Sequence, residues 1–136
     1  MSPLACPGNR VSIVSPSWAG PQHFPGVYEQ GLERLQARGL EPVETPTVRV
    51  QGSPKERARD LMAAFTDPTT VAVFATIGGD DQLTVLPHLD PEVLRAHPKP
   101  FLGYSANTNL LVYLDSIGIP SLHGGAVMGH FARPGG

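Results

Sequence analysis

Apolar residues recur along this chain in short β-branched runs separated by stretches with helical spacing. Val11-Ser12-Ile13-Val14 predicts a buried strand, and Ser15 to Pro21 a loop leaving it. Val27, Leu32 and Leu35 lie near helical spacing, which predicts a helix over 27–38, with Gly39 as the residue that ends it. Leu40 to Val50 alternates weakly and contains two prolines, as an irregular or edge strand does. Ser53-Pro54-Lys55-Glu56 then opens a helix. The serine can cap, the proline suits the first helical position, and the glutamate falls where a capping box needs it. That helix runs to Phe65 and stops before Asp67-Pro68.

Val71 to Ile77 is apolar along nearly its whole length, as in a parallel strand covered on both faces. It runs into Gly78-Gly79-Asp80-Asp81. Asp81 to Leu86 and Asp90 to Ala96 read as short helices on either side of Pro87. Phe101 to Tyr104 predicts another strand, ending on Ser105. Residues 107–117 predict a helix carrying Leu110, Leu111 and Leu114, and 118–122 lead through a last strand to His123. Strands alternating with helices imply an α/β layer fold with a mainly parallel sheet.

Composition sharpens this picture. Fifteen glycines and fifteen prolines in 136 residues cut the chain into short elements. At 40% hydrophobic and 16% charged it is globular and of single-domain size. A net charge of −2 without a basic block argues against a nucleic acid or an anionic membrane as partner. No apolar run reaches the ~18 residues a membrane span needs. Residues 1–8 lack a cationic start and an apolar core, so no secretion signal is expected. Leu4-Ala5-Cys6 is only superficially like a lipoprotein site. A single cysteine, Cys6, forms no internal disulfide and has no nearby activating residue, which fits a cytoplasmic setting. Five scattered histidines supply no metal-ligand spacing. His23, His88 and His97 fall in loop or helix-end contexts and read as surface residues.

In an open α/β sheet, ligands collect outside the strand C-termini. Three segments leave a strand there: 15–19, 78–81 and 105–108. The third places Ser105 between a strand and a helix start. That sharp turn exposes a hydroxyl above the sheet, beside unpaired backbone N–H groups able to stabilise an oxyanion. Gly78-Gly79 can bring a further N–H close, since no side chain obstructs it. Spacing alone leaves two roles open for Ser105, helix cap or nucleophile. The Gly-x-Ser-x-Gly pattern is not met, because position 107 is Asn.

Four blocks in order resemble the LD-carboxypeptidase family of serine peptidases, which includes the microcin C immunity enzymes. They are Ile13 to Ser17, Ala75 to Asp81, Lys99 to Asn109, and Gly118 to Met128, with Phe131 to Gly135 similar to the immunity branch. The resemblance covers nearly all of this chain and about the first half of a family member. It implies a three-layer, flavodoxin-like α/β domain over 1–136, similar to the class I glutamine amidotransferase layer, and a C-terminal domain beyond it. It also implies that Ser105 is the nucleophile, that the backbone N–H groups of Gly79 and Ala106 form the oxyanion hole, and that Asp80, Asn107 and His123 border the substrate pocket. The substrate is then an amide, in a murein tetrapeptide or a peptidyl-nucleotide conjugate of the microcin C type. No metal or organic cofactor is expected.

Two departures bear on this. The family has Asp directly after the nucleophile; here Ala106 keeps the N–H and loses the side chain. The triad's Glu and His belong to the C-terminal domain. The chain ends in turn residues, Arg133-Pro134-Gly135-Gly136, so these 136 residues alone are expected to be inactive. Were the protein to end naturally at Gly136, surface meant for the second domain would be exposed, and a homodimer would then be expected. A competing reading from another class is a non-catalytic binding or assembly module that keeps the fold.

Overall fold

The computed structural model describes residues 8–16, 20–76, 85–103, 113–119 and 121–123. Five strands, β1 (Arg10–Val14), β2 (Glu41–Glu44), β3 (Ala72–Ala75), β4 (Phe101–Gly103) and β5 (Ser121–His123), form one sheet in the order β2-β1-β3-β4-β5. Every pairing is parallel. This is the flavodoxin-like order, in which the chain moves first to one side of β1 and then to the other. The helices are α1 (Gly20–His23), α2 (Pro25–Ala37), α3 (Pro54–Thr66) and α4 (Pro91–Ala96), with a helical turn at 113–116.

Period-two alternation sends neighbouring strand residues into different layers. Val11 and Ile13 of β1, with Ala72 and Phe74 of β3, meet Tyr28, Leu32 and Leu35 of α2. Val14, Val73, Ala75 and Phe101 face the other way, onto Ala58, Leu61, Ala64 and Phe65 of α3, Leu94 of α4 and Leu114. The three layers are thus α2, the sheet, and α3 with α4.

Local chemistry fixes the helix ends. Gly39 takes φ of 83°, which a Cβ would oppose, and its N–H donates to Gln36 O at 2.9 Å. Leu40 N–H reaches back to Leu35 O at 3.1 Å, completing a Schellman motif whose hydrophobic contact joins Leu40 to the core. The capping box of α3 forms as the sequence predicts. Glu56 N–H donates to Ser53 Oγ at 3.1 Å, and Ser53 N–H donates to Glu56 Oε1 at 2.9 Å. Asp90 caps α4 by accepting from Glu92 N at 3.0 Å.

Several expectations shift. The inward stripe of α2 starts at Tyr28, fully buried, because Tyr28, Leu32 and Leu35 fall at i, i+4 and i+7; Val27 lies off that stripe and is 40% exposed. The helix begins at Pro25, and α1 occupies part of the segment read as loop. The edge strand shortens to 41–44, with Pro42 tolerated at the sheet margin and Pro46 in the turn beyond it. Pro87 lies inside a 3₁₀ turn, Leu86–His88. Ile77, most of 81–86 and most of the 107–117 helix lie outside the described residues, as does Cys6.

Candidate functional site

The order of strands reverses between β1 and β3, so the crevice of this fold opens above their C-terminal ends. Four exits meet there. β1 continues into Ser15 and Pro16, β2 into the segment 45–50, β3 into Thr76, and β4 ends at Gly103.

The exits of β1 and β3 are tied by hydroxyls. Ser15 Oγ lies 2.7 Å from Thr76 Oγ1 and donates to Val48 O at 3.1 Å. Both residues are buried. On the β2 side, Thr45 Oγ1 donates to Ile13 O at 2.9 Å. Arg57 of α3, 3% exposed, donates through Nη1 to Pro16 O at 2.9 Å and through Nε to Gly52 O at 3.0 Å. A buried cation is costly unless its protons are used, and these bonds use them to hold the chain just beyond β1.

Charges gather beside β2. Arg49 bridges Glu44 and Glu29, each at 2.8 Å, and its guanidinium carbon stands 4.8 Å from the centroid of the Tyr28 ring. Burial alone would raise the Glu44 carboxyl, but the hydrogen bonds and charge of Arg49 outweigh it and hold the group below its ordinary range. Burial, reinforced by the Glu44 charge, pushes the Tyr28 hydroxyl far above its ordinary value, so it stays protonated.

The residues singled out from sequence are distributed as follows. Ser105, Gly79, Ala106, Asp80 and Asn107 lie outside the described residues. Their points of attachment are described. Ser105 follows Gly103 by two positions and Gly79 follows Thr76 by three. β3 and β4 are direct neighbours, in register at Val73–Phe101 and Phe74–Leu102. His123 ends β5, its backbone opposite Gly103. His23, His88 and His97 are exposed, as expected.

Ser15, Thr76, Val48 and Arg57 were not singled out individually. The signal that could have found the first two is a hydroxyl residue directly after each of two apolar strands. Arg57 carried no such signal, since charged residues in the first turns of a helix are ordinary.

A surface depression bordered by Asp67, Thr70, His97 and Lys99 lies at the opposite end of the sheet, where β3 and β4 begin. Lys99 Nζ is already engaged there, donating to Ala64 O and Thr70 Oγ1 at 2.8 Å each and to Asp67 O. Burial holds its ammonium below the usual lysine range. This lysine closes the C-terminal end of α3 and is unlike a ligand site. Among the described residues no group of three or more His, Cys, Asp or Glu side chains could hold a metal. Nor, among them, is any helix long and apolar enough to cross a membrane.

The sheet order defines an α/β domain of the flavodoxin-like kind with its crevice above β1 and β3. The profile of the LD-carboxypeptidase N-terminal domain matches residues 11–124, and the chain belongs to that family. The microcin C7 self-immunity protein of Escherichia coli is 31% identical over 140 residues, covering 97% of this chain and 40% of that protein. The murein tetrapeptide carboxypeptidase of Pseudomonas aeruginosa is 31% identical over 126 residues, covering 88% of this chain and 40% of the enzyme. A solved structure of the microcin C7 self-immunity protein superposes with a TM-score of 0.88 at 28% identity, covering 98% of this chain and 42% of that one. A similar protein from Bacillus anthracis gives 0.88 at 25% identity, covering 96% and 41%. This chain therefore spans about 40% of the length of these relatives.

Proposed function

We propose that the chain is the nucleophile-bearing part of a serine hydrolase that cleaves an amide bond. The observation that carries this reading is the adjacency of β3 and β4, within a matched family domain. Their C-terminal exits lead directly to Gly78-Gly79 and to Ser105. Ser105 Oγ attacks the amide carbon, and its proton passes to a histidine oriented by a glutamate, both in the second domain. The backbone N–H groups of Gly79 and Ala106 donate to the oxyanion that forms. The C–N bond then breaks as the proton moves to the leaving amine, and water releases the acyl group from Ser105. Asp80, Asn107 and His123 border the pocket.

Relatives named for murein tetrapeptide and for microcin C7 immunity support two amide classes, and one solved immunity protein holds glutamyl sulfamoyl guanosine. A peptide ending in a D-amino acid and an aminoacyl-nucleotide conjugate are the substrates to try, in a cytoplasmic setting. A serine hydroxyl without a base is a weak nucleophile at neutral pH, so residues 1–136 by themselves turn over neither.

The test uses the purified chain beside a chimera in which it replaces the equivalent segment of the microcin C7 self-immunity protein. The expected result is hydrolysis by the chimera, loss in its Ser105→Ala variant, and no turnover by the chain alone. A folded chimera that is inactive, or whose Ser105→Ala variant is unimpaired, overturns the assignment. Ser105-dependent turnover by the chain alone overturns the requirement for an outside base.

A further inference from the structure

Thr76 is fully buried at the exit of β3, and both its backbone and its side chain are committed. Its N–H donates to Val14 O at 2.9 Å, extending the ladder between β1 and β3 by one residue. Its hydroxyl meets Ser15 Oγ at 2.7 Å. Ser15 has one hydroxyl proton, and that proton goes to Val48 O. The 2.7 Å contact therefore carries the proton of Thr76, donated to Ser15.

A valine would occupy the same volume without a hydroxyl to bury, so packing alone does not call for threonine here. Burying a hydroxyl is tolerable only because it is bonded, and the bond gains little net stability over an apolar pair. What it gains is position. The last residue before 77–79 is fixed to β1 through its backbone and to Ser15 through its side chain. Ser15 is fixed in turn to the segment after β2, and Arg57 fixes Pro16, the next residue along. An oxyanion donor acts only if it is held where the charge develops, so the peptide leading to it must be anchored.

We infer that Thr76 is a positioning residue: its hydroxyl, held by Ser15, fixes the end of β3 from which the chain continues to Gly79, the proposed oxyanion donor. The inference rests on the reading of Gly79 as an oxyanion donor and adds the group that orients it.

Thr76→Val deletes the hydroxyl at constant volume, Thr76→Ser keeps it, and Ser15→Ala removes the same bond from the other side should Thr76→Val fail to fold. In the 136-residue chain, amide hydrogen exchange at residue 76, whose N–H is bonded to Val14 O, rises about tenfold or more in Thr76→Val. It stays normal in Thr76→Ser, while β1 amides are unchanged in both. In the chimera, Thr76→Val lowers kcat about 10- to 100-fold with KM within about twofold, and Thr76→Ser restores it, since loss of a whole oxyanion donor costs about 10²–10³. Unchanged exchange at residue 76, or unchanged kcat in a chimera that hydrolyses through Ser105, overturns the inference and leaves the hydrolase reading intact. Faster exchange in Thr76→Val together with a parent chimera lacking Ser105-dependent hydrolysis overturns the hydrolase reading and, with it, the catalytic purpose assigned to Thr76.

Discussion

Gly52 and Thr47 approach so closely that a Cβ placed on Gly52 would lie 2.5 Å from Thr47 Cγ2. The threonine is not free to turn away. Its Oγ1 and its backbone N both donate to Asp60 Oδ2, each at 2.6 Å, which fixes its rotamer. The contact holds the segment after β2 against the start of α3, where Gly52 O also receives Arg57. The near wall of the crevice is built on it.

Gly52→Ala should therefore destabilise the domain, by about 1–3 kcal/mol, as overpacking of a site that cannot relax does. Urea unfolding followed by circular dichroism reads this as a lower midpoint at unchanged slope. A variant as stable as the parent would show that Thr47 can move and that its bonds to Asp60 are not restraining it.

Asp60→Ala should cost about 2–3 kcal/mol, because it removes charge-assisted bonds and leaves a buried backbone N–H of Thr47 without its acceptor. In the Gly52→Ala background the loss should be smaller than in the parent, since one restraint serves both sites. Strict additivity in a double-mutant cycle would separate the two contacts.

Acid should weaken the fold through carboxylates bonded in the native state. Hydrogen bonds from the Thr69 side chain and backbone hold Asp67 below the ordinary aspartate range. Those from Ser53 hold Glu56 low likewise. A carboxyl with a depressed folded value binds fewer protons folded than unfolded. Its stabilisation is thus present in full above the unfolded value, about 4, and is lost as pH falls through the folded one. Asp67→Asn removes one such group, so the fall in stability between pH 5 and pH 3 should be shallower than in the parent. An equally steep fall would place the acid sensitivity elsewhere.

How much of this was legible in the residues differs from element to element. Ser53, Pro54 and Glu56 marked the start of α3 because cap chemistry is local, and Gly39 marked the end of α2 for the same reason. Val11 to Val14 and the apolar run after Val71 marked two central strands. The neighbours of each strand were not written in periodicity, which says that a segment is extended and not what it pairs with. The mainly parallel sheet followed from strands alternating with helices and the flavodoxin-like architecture from the family resemblance, and the structure bears both out. Val27 misled because apolar residues one position off a helix stripe look like members of it. Ser15, Thr76 and Arg57 were hidden for a deeper reason. Their partners are 61 positions away for the hydroxyl pair and 41 for Arg57 and Pro16, and only the folded sheet brings them together. The resemblance implies that Ser105 is the nucleophile, where spacing alone had favoured a helix cap.

The chemistry proposed for Ser105 leaves a covalent mark, and that mark is the most direct test. The chimera carrying residues 1–136 is quenched with acid during turnover of an amide substrate, digested, and read by mass spectrometry. An acyl adduct is expected on the peptide containing Ser105, absent from Ser105→Ala. Hydrolysis proceeding with an adduct on another residue, or with adduct formation undiminished in Ser105→Ala, would contradict that chemistry.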